Sequence, residues 1–180
     1  NSLDRAGNNI IEGAWREFSR MGGPTVDGKM SMVDLCNHII TGLARDGEVF
    51  LQVVKGNYLR HGVAVQIIEP DRVDEEKNEL APNGNQIRMG VELDSRTKRP
   101  VAYHVLTYHK GDYDYMLPAN QRKYDVIQAE EMMHIFRPER AGQTRGVPWS
   151  SAAITSLKML HGYREAELIA ARTGAAKMGF

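Results

Sequence analysis

The spacing of apolar residues changes twice along this chain, and these changes decide which fold classes it can adopt. In residues 1–46 apolar side chains recur every three or four positions, as one face of a helix requires. Residues 47–136 instead contain short runs of β-branched and aromatic residues. The helical period returns in residues 150–180. Helices on either side of closely spaced strands predict an α+β fold rather than an alternation of strands and helices.

Four runs in the middle of the chain are predicted to be β-strands. Their spacing leaves no room for long helices between them, so we expect antiparallel, hairpin-connected pairing. The predicted strands are Glu48–Lys55, Ala64–Ile68, Val101–His109 and Met132–Phe136. An acidic stretch, Glu69–Glu79, and a turn cluster, Pro82–Asn85, are predicted to be exposed loops.

Local signals predict where two of the helices begin. Ser31, with Asp34 three residues later, has the pattern of a capping box at the start of the second helix. Ser150 or Ser151 can cap a final helix of about 25 residues, which is long for a small domain.

The predicted organisation is a single domain made of four segments. These are a helical segment (1–46), an antiparallel β region (47–136), a strand-to-helix elbow (137–149) and a long helix (150–180). The chain begins with Asn, and its last helix stops without a clear cap. We therefore expect it to be a piece of a longer protein, with the long helix truncated.

Charge and cysteine content argue against several classes of protein. The chain carries 23 basic and 23 acidic side chains, so its formal charges cancel, whereas proteins that wrap nucleic acid tightly usually have a basic excess. The single Cys36 cannot form an internal disulfide, and its amphipathic surroundings predict a buried, unreactive thiol. No run approaches the roughly 20 apolar residues that span a bilayer, so no membrane partner is predicted.

No catalytic, metal or cofactor site is predicted. His104 and His109 are five residues apart on one predicted strand, which places them on opposite faces. The sequence contains no phosphate-loop, dinucleotide-binding or nucleophile-elbow motif. The segment Tyr113–Tyr115, near Lys110 and Arg122, fits stacking on nucleic-acid bases, but packing of its rings against neighbouring protein explains it equally well. The acids Asp112 and Asp114 argue against a path for phosphates.

The elbow is the candidate functional segment, and its glycines and prolines favour one defined shape. Two interpretations stay open: a rigid structural joint, or a polar cluster that contacts a neighbouring subunit. The candidate residues are Arg137, Gln143, Arg145, Gly146, Pro148 and Trp149. We expect Trp149 to be largely buried. We expect Arg145 to bond carbonyls or an acid, because a guanidinium presents five donors in a rigid fork.

Segment Gln143–Trp149 resembles the Q-x-R-G-x-P-W motif of the lambda family of phage portal proteins. Four further stretches are similar to segments of that family and occur in the same order. They are Asp46–Phe50, Ile67–Val73, Gly90–Asp94 followed by Arg99–Val105, and Glu131–Phe136. The resemblance covers about residues 8 to 178, and the shared order makes it specific although each stretch alone is weak.

The resemblance implies a subunit of a homo-oligomeric ring, a dodecamer, at one vertex of a phage capsid. Such a ring is the channel for double-stranded DNA and the docking site for terminase, capsid and head-tail connector proteins. It implies a location in the virion and no catalytic residue. A complete portal subunit is much longer, and this piece is assigned to a peripheral wing-type domain with the start of a long central helix.

Functions from two other classes stay open at this stage. The chain could be a non-catalytic fragment of a phage DNA-processing or maturation enzyme whose catalytic residues lie elsewhere, or a plain nucleic-acid-binding module. The assembly of longer versions of the protein into rings distinguishes a portal from both.

Overall fold

The computed structural model describes residues 4–112 and 121–177, so the candidate stacking segment Tyr113–Tyr115 lies outside the described residues. Within them, two helices precede eight short strands and a long helix follows, which confirms the α+β class. The helices are α1 (Arg5–Phe18), α2 (Met32–Arg45) and α3 (Ser151–Lys177). The strands are β1 (Glu48–Lys55), β2 (Val63–Ile68), β3 (Glu79–Leu80), β4 (Gln86–Arg88), β5 (Val91–Leu93), β6 (Pro100–Leu106), β7 (Tyr124–Gln128) and β8 (Met132–Phe136).

These strands form two antiparallel sheets, in agreement with the predicted pairing. The order is β2–β1–β8 in the first sheet and β3–β4–β5–β6–β7 in the second. β1 pairs with its hairpin neighbour β2 and also with the distant β8, where Phe50 lies opposite His134. The first sheet therefore joins the beginning of the β region to its end.

Four of the strands, β3, β4, β5 and β7, are missing from the sequence prediction. β3, β4 and β5 have two or three residues, which is too short to display a clear apolar period. β7 has five residues, but Ile127 is the single buried one among them, so its sequence shows no clear apolar run. β4 and β5 are joined by the two-residue turn Met89–Gly90, in which both residues have positive φ, the geometry of a tight hairpin.

The third predicted strand is too long at its end. β6 stops at Leu106, and His109 lies in a turn closed by a hydrogen bond from the Asp112 N–H to its carbonyl. The prediction that His104 and His109 share a strand is therefore wrong.

Side chains of β1 contribute to two hydrophobic cores, because successive residues of a strand point to opposite faces. Val49 and Leu51 pack with Leu35 of α2 on one face of the first sheet. Phe50 points the other way, into the core between the two sheets. That core comprises Phe50, Ile68, Val73, Val91, Leu93, Tyr103, Val105, Ile127 and Met132. α2, the first sheet and the second sheet thus form three layers.

The start of α2 confirms the predicted capping box. The Asp34 N–H donates to Ser31 Oγ at 3.3 Å, and the Ser31 N–H donates to Asp34 Oδ2 at 3.0 Å. The prediction of a buried thiol on this helix is wrong, because Leu35 faces the sheet and Cys36, one position on, is exposed.

The first and last helices have most of their apolar side chains in solvent. α1 contains no buried residue, and Ile10 and Trp15 are exposed. All side chains of 151–176 in α3 are exposed, including Ile154 and Leu157 of the predicted apolar stripe. No helix in the described part of the chain combines the length and hydropathy needed to cross a membrane.

Candidate functional site

The guanidinium of Arg145, in the elbow, lies inside the fold. Its side chain is only 11% exposed. Nη1 donates to the carbonyls of Val73 at 2.9 Å and Met89 at 2.8 Å, and Nη2 donates to the carbonyl of Pro70 at 3.1 Å. The prediction that Arg145 bonds carbonyls or an acid is confirmed, and the side chain ties the elbow to three points of the β region.

Glu48, the first residue of β1, is the acid that compensates the buried guanidinium charge. Its Oε1 accepts from Arg145 Nε at 2.7 Å and from Nη2 at 2.6 Å. Its Oε2 accepts from the Gly146 N–H at 2.7 Å and lies 2.9 Å from His134 Nε2. Both carboxylate oxygens of this buried side chain are therefore bonded, which a buried ion pair requires if it is not to destabilise the fold.

The surroundings keep Glu48 ionised. Burial by itself raises the pKa of this carboxyl, but the hydrogen bond from His134, the charge of Arg145 and the Gly146 N–H outweigh burial. The pKa of Glu48 is therefore below its ordinary value. Because a carboxylate can only accept, His134 Nε2 carries a proton in this contact.

Aromatic rings enclose the charged pair. The guanidinium carbon of Arg145 lies 5.2 Å from the centre of the Phe50 ring, and the imidazole of His134 stacks on that ring at 4.2 Å. Tyr103 meets His134 edge-on at 5.7 Å. Burial and the nearby charge of Glu48 raise the pKa of Tyr103 to about 12, so its hydroxyl stays neutral.

Two glycines allow the elbow to approach β1 at backbone distance. A Cβ at Gly146 would overlap the carbonyl of Gly47, and a Cβ at Gly47 would overlap the backbone of Val147. Gly47 also has φ of +86°, a conformation that disfavours other residues. Only glycine at both positions permits the contact that brings Gly146 N to Glu48.

Gln143 shapes the loop that carries Arg145. Its Oε1 accepts from the N–H groups of Glu139 at 2.8 Å and Arg140 at 3.2 Å, and its Nε2 donates to the Arg145 carbonyl at 2.8 Å. The Gln143 side chain thus bonds backbone groups of the elbow that have no partner in a helix or strand. The sequence did not predict this role.

The other predicted elbow residues do not join this cluster. The prediction of a largely buried Trp149 is wrong: its side chain is 55% exposed, because it stands at the start of α3, whose own side chains face solvent. The Pro148 carbonyl accepts from the Ser151 N–H at 3.0 Å, in the first turn of α3. Arg137 is exposed. The elbow is held by Arg145 and Gly146 rather than by Trp149.

A second buried acid, Asp74, lies in the stretch that was predicted to be an exposed loop, so that prediction is wrong at this position. Its Oδ2 accepts from Tyr124 Oη at 2.6 Å and from Arg122 Nη1 at 3.1 Å. Burial by itself raises the pKa of Asp74, but these hydrogen bonds and the Glu76 N–H lower it. Burial and the bond to Asp74 raise the pKa of Tyr124.

A third acid, Glu92 of β5, is held by amides and a histidine. It accepts from Asn83 Nδ2 at 2.9 Å and Asn85 Nδ2 at 2.8 Å and lies 3.3 Å from His104 Nε2. The hydrogen bond from Asn83, with those from Asn85 and His104, lowers the pKa of Glu92, and burial lowers the pKa of His104. His104 is a structural histidine here.

The described residues contain no group of three or more His, Cys, Asp or Glu side chains placed to hold a metal ion. Within each of the three clusters, around Glu48, Asp74 and Glu92, the charged and polar groups bond to residues of this chain. This arrangement is typical of a structural cluster. Their chemistry is to fix backbone segments that lie far apart in the sequence.

Three of the stretches singled out in the sequence meet around Arg145, together with Met89, the residue just before the stretch Gly90–Asp94. Asp46–Phe50 supplies Glu48 and Gly47, Ile67–Val73 supplies two carbonyls, and the turn before Val91 supplies the carbonyl of Met89. Glu131–Phe136 supplies His134. Sequence stretches that are spread over about a hundred residues thus contribute to one cluster around Arg145.

Comparison with known proteins agrees with this pattern. Residues 2–180 match the family model for "Phage portal protein, lambda family". A probable portal protein of Halomonas phage phiHAP-1 is 40% identical over 171 residues, which are 95% of this chain and 32% of that protein. The chain therefore spans about a third of the length of this relative.

Proposed function

Since the chain belongs to the lambda family of phage portal proteins, we propose that it is part of a subunit of the portal ring at one vertex of a phage capsid. In this proposal the complete subunits close into a dodecamer, which is the channel for double-stranded DNA during packaging and ejection. The ring docks terminase and the head-tail connector proteins, and its location is the virion. The observation that carries the proposal is the family match across the chain.

Within that ring, residues 1–180 form one wing-type domain, and α3 is the beginning of a long central helix. The Arg145 cluster supports this assignment, because it bonds the elbow, the segment that leads into α3, to β1 and to two turns of the β region.

The exposed apolar side chains support a role in assembly. An isolated helix gains little stability in water without packing of its apolar face, and both α1 and α3 have apolar residues in solvent. Together with Trp149, these residues are the surfaces that the remainder of the subunit and the neighbouring subunits cover. The protein acts as a structural component and not as an enzyme.

The test is the mass of the complete subunit in solution, measured by light scattering and native mass spectrometry over a range of concentrations. We expect a closed ring, and Trp149→Ala should shift the population towards monomer. Tyr58→Ala, which removes an aromatic ring that is 76% exposed elsewhere on the domain, is the matched control and should assemble normally. A complete, folded subunit that stays monomeric at every concentration would contradict the proposal.

A further inference from the structure

Two adjoining cavities lie between the elbow and the β4–β5 region. Their volumes are about 370 and 450 Å³. Four residues line both cavities, so the two form one continuous groove along the elbow. These are Arg88, Gly142, Gln143 and Thr144.

Apart from Arg145 and its partners, the charged side chains that line this groove are all basic. Arg88 lines both cavities, Lys98 lines one and Arg140 lines the other, and no Asp or Glu lines either of them. Within the part of the chain that the structure describes, none of these three cations lies within 4 Å of a carboxylate oxygen. In a chain with equal numbers of acidic and basic residues, such a local excess is a segregation of charge.

A more acidic cleft adjoins the groove at Met89, Arg145 and Gly146, which line both. This cleft of about 650 Å³ is lined by four exposed or partly exposed acids and only a few basic groups. Those acids are Asp46, Glu69, Asp71 and Glu75. The groove is therefore more basic than this cleft. Lys98 interacts electrostatically with Asp94, which does not line the groove, so Arg88 and Arg140 carry most of its excess positive charge.

An unpaired hydroxyl in the groove wall also indicates a ligand. Thr144 is only 8% exposed, and its Oγ1 is buried with no hydrogen-bond partner among the described residues. A buried hydroxyl without a partner destabilises the fold unless a bound group supplies one. Thr144 lines both cavities, so an occupant of the groove lies next to this residue.

We propose that this groove binds a phosphate group. The guanidinium groups of Arg88 and Arg140 donate to its oxygens, Lys98 adds a third positive charge, and Thr144 Oγ1 donates after rotation about its Cα–Cβ bond. A groove lined by three cations and by no Asp or Glu matches a phosphate dianion or a row of phosphodiesters better than it matches a single carboxylate. This site does not depend on the portal role.

The test is a titration of the chain with inorganic phosphate, followed by NMR chemical shifts of its amides at constant ionic strength. Acetate at the same ionic strength is the comparison anion. We expect saturable shifts at Arg88, Gly142 and Thr144 with phosphate and much weaker ones with acetate. A short random-sequence DNA duplex identifies the source: competition with phosphate assigns the groove to backbone phosphates, and no competition assigns it to a free phosphate group.

Four variants test the named groups. Arg88→Gln and Arg140→Gln should each weaken phosphate binding about tenfold, the effect of losing one charge-assisted hydrogen bond. Thr144→Val should also weaken binding while the melting temperature stays the same or rises, since it removes an unpaired buried hydroxyl. Arg172→Gln on α3 is the control and should bind as the unchanged protein does. Equal responses to phosphate and acetate, or unchanged affinity in both arginine variants, would overturn the proposal.

Discussion

Replacing Arg145 by lysine keeps the positive charge and removes the fork of donors, so it separates geometry from charge. Lysine can retain an ion pair with Glu48, but one ammonium cannot also reach the carbonyls of Pro70, Val73 and Met89, which three separate N–H groups now serve. A buried polar group that loses its partner costs about 1–3 kcal/mol. If water reaches one of the three carbonyls, the other two give a loss of about 3 kcal/mol in the free energy of unfolding.

For a domain of this size, about 3 kcal/mol corresponds to a fall of about 6–12 °C in melting temperature. The measurement is urea unfolding together with calorimetry of Arg145→Lys and the unchanged chain. Arg137→Lys, at an exposed position of the same elbow, is the control and should stay within about 0.5 kcal/mol. A loss below about 1 kcal/mol in Arg145→Lys would refute the reasoning, because it would mean that the carbonyl contacts add little stability.

Further predictions concern the same joint and the helix after it. Gly146→Ala should destabilise the domain by more than about 2 kcal/mol in urea unfolding, because its Cβ would overlap the Gly47 carbonyl, whereas Gly162→Ala, which has open space on α3, should stabilise by up to about 1 kcal/mol. Because the pKa of Glu48 is lower in the folded protein than its ordinary value of 4.5, its ionised form stabilises the fold at pH values above 4.5. This stabilisation is lost as the pH falls through the folded pKa. Unfolding free energies from pH 7 to pH 3 should therefore converge between the unchanged chain and Glu48→Gln, and a constant difference would exclude this linkage. Trp149→Ala should melt within about 2 °C of the unchanged chain, since the side chain is 55% exposed; a sharp fall in a calorimetric scan would restore it as a buried anchor.

Features that depend on neighbours in sequence were predictable from the sequence alone. The capping box of Ser31 and Asp34 and the change from helical to strand spacing are local, because a turn of helix and a stretch of strand involve only a few consecutive residues. The elbow motif and the donor fork of Arg145 were also recognisable. The strands β3, β4 and β5 were not, because two or three residues cannot display a period, and β7 was not, because Ile127 is its single buried residue.

What only the tertiary structure decided is which distant residues meet. Glu48 and Arg145 are 97 residues apart, and Phe50 pairs with His134 across a strand register that no local pattern encodes. Burial follows from the same long-range packing. Asp74 is buried because other parts of the chain fold over it, and Trp149 is exposed because α3 leaves the sheets. A side chain's own chemistry sets what it can bond, but the packing of segments far apart in sequence sets whether a partner or water is there to bond it.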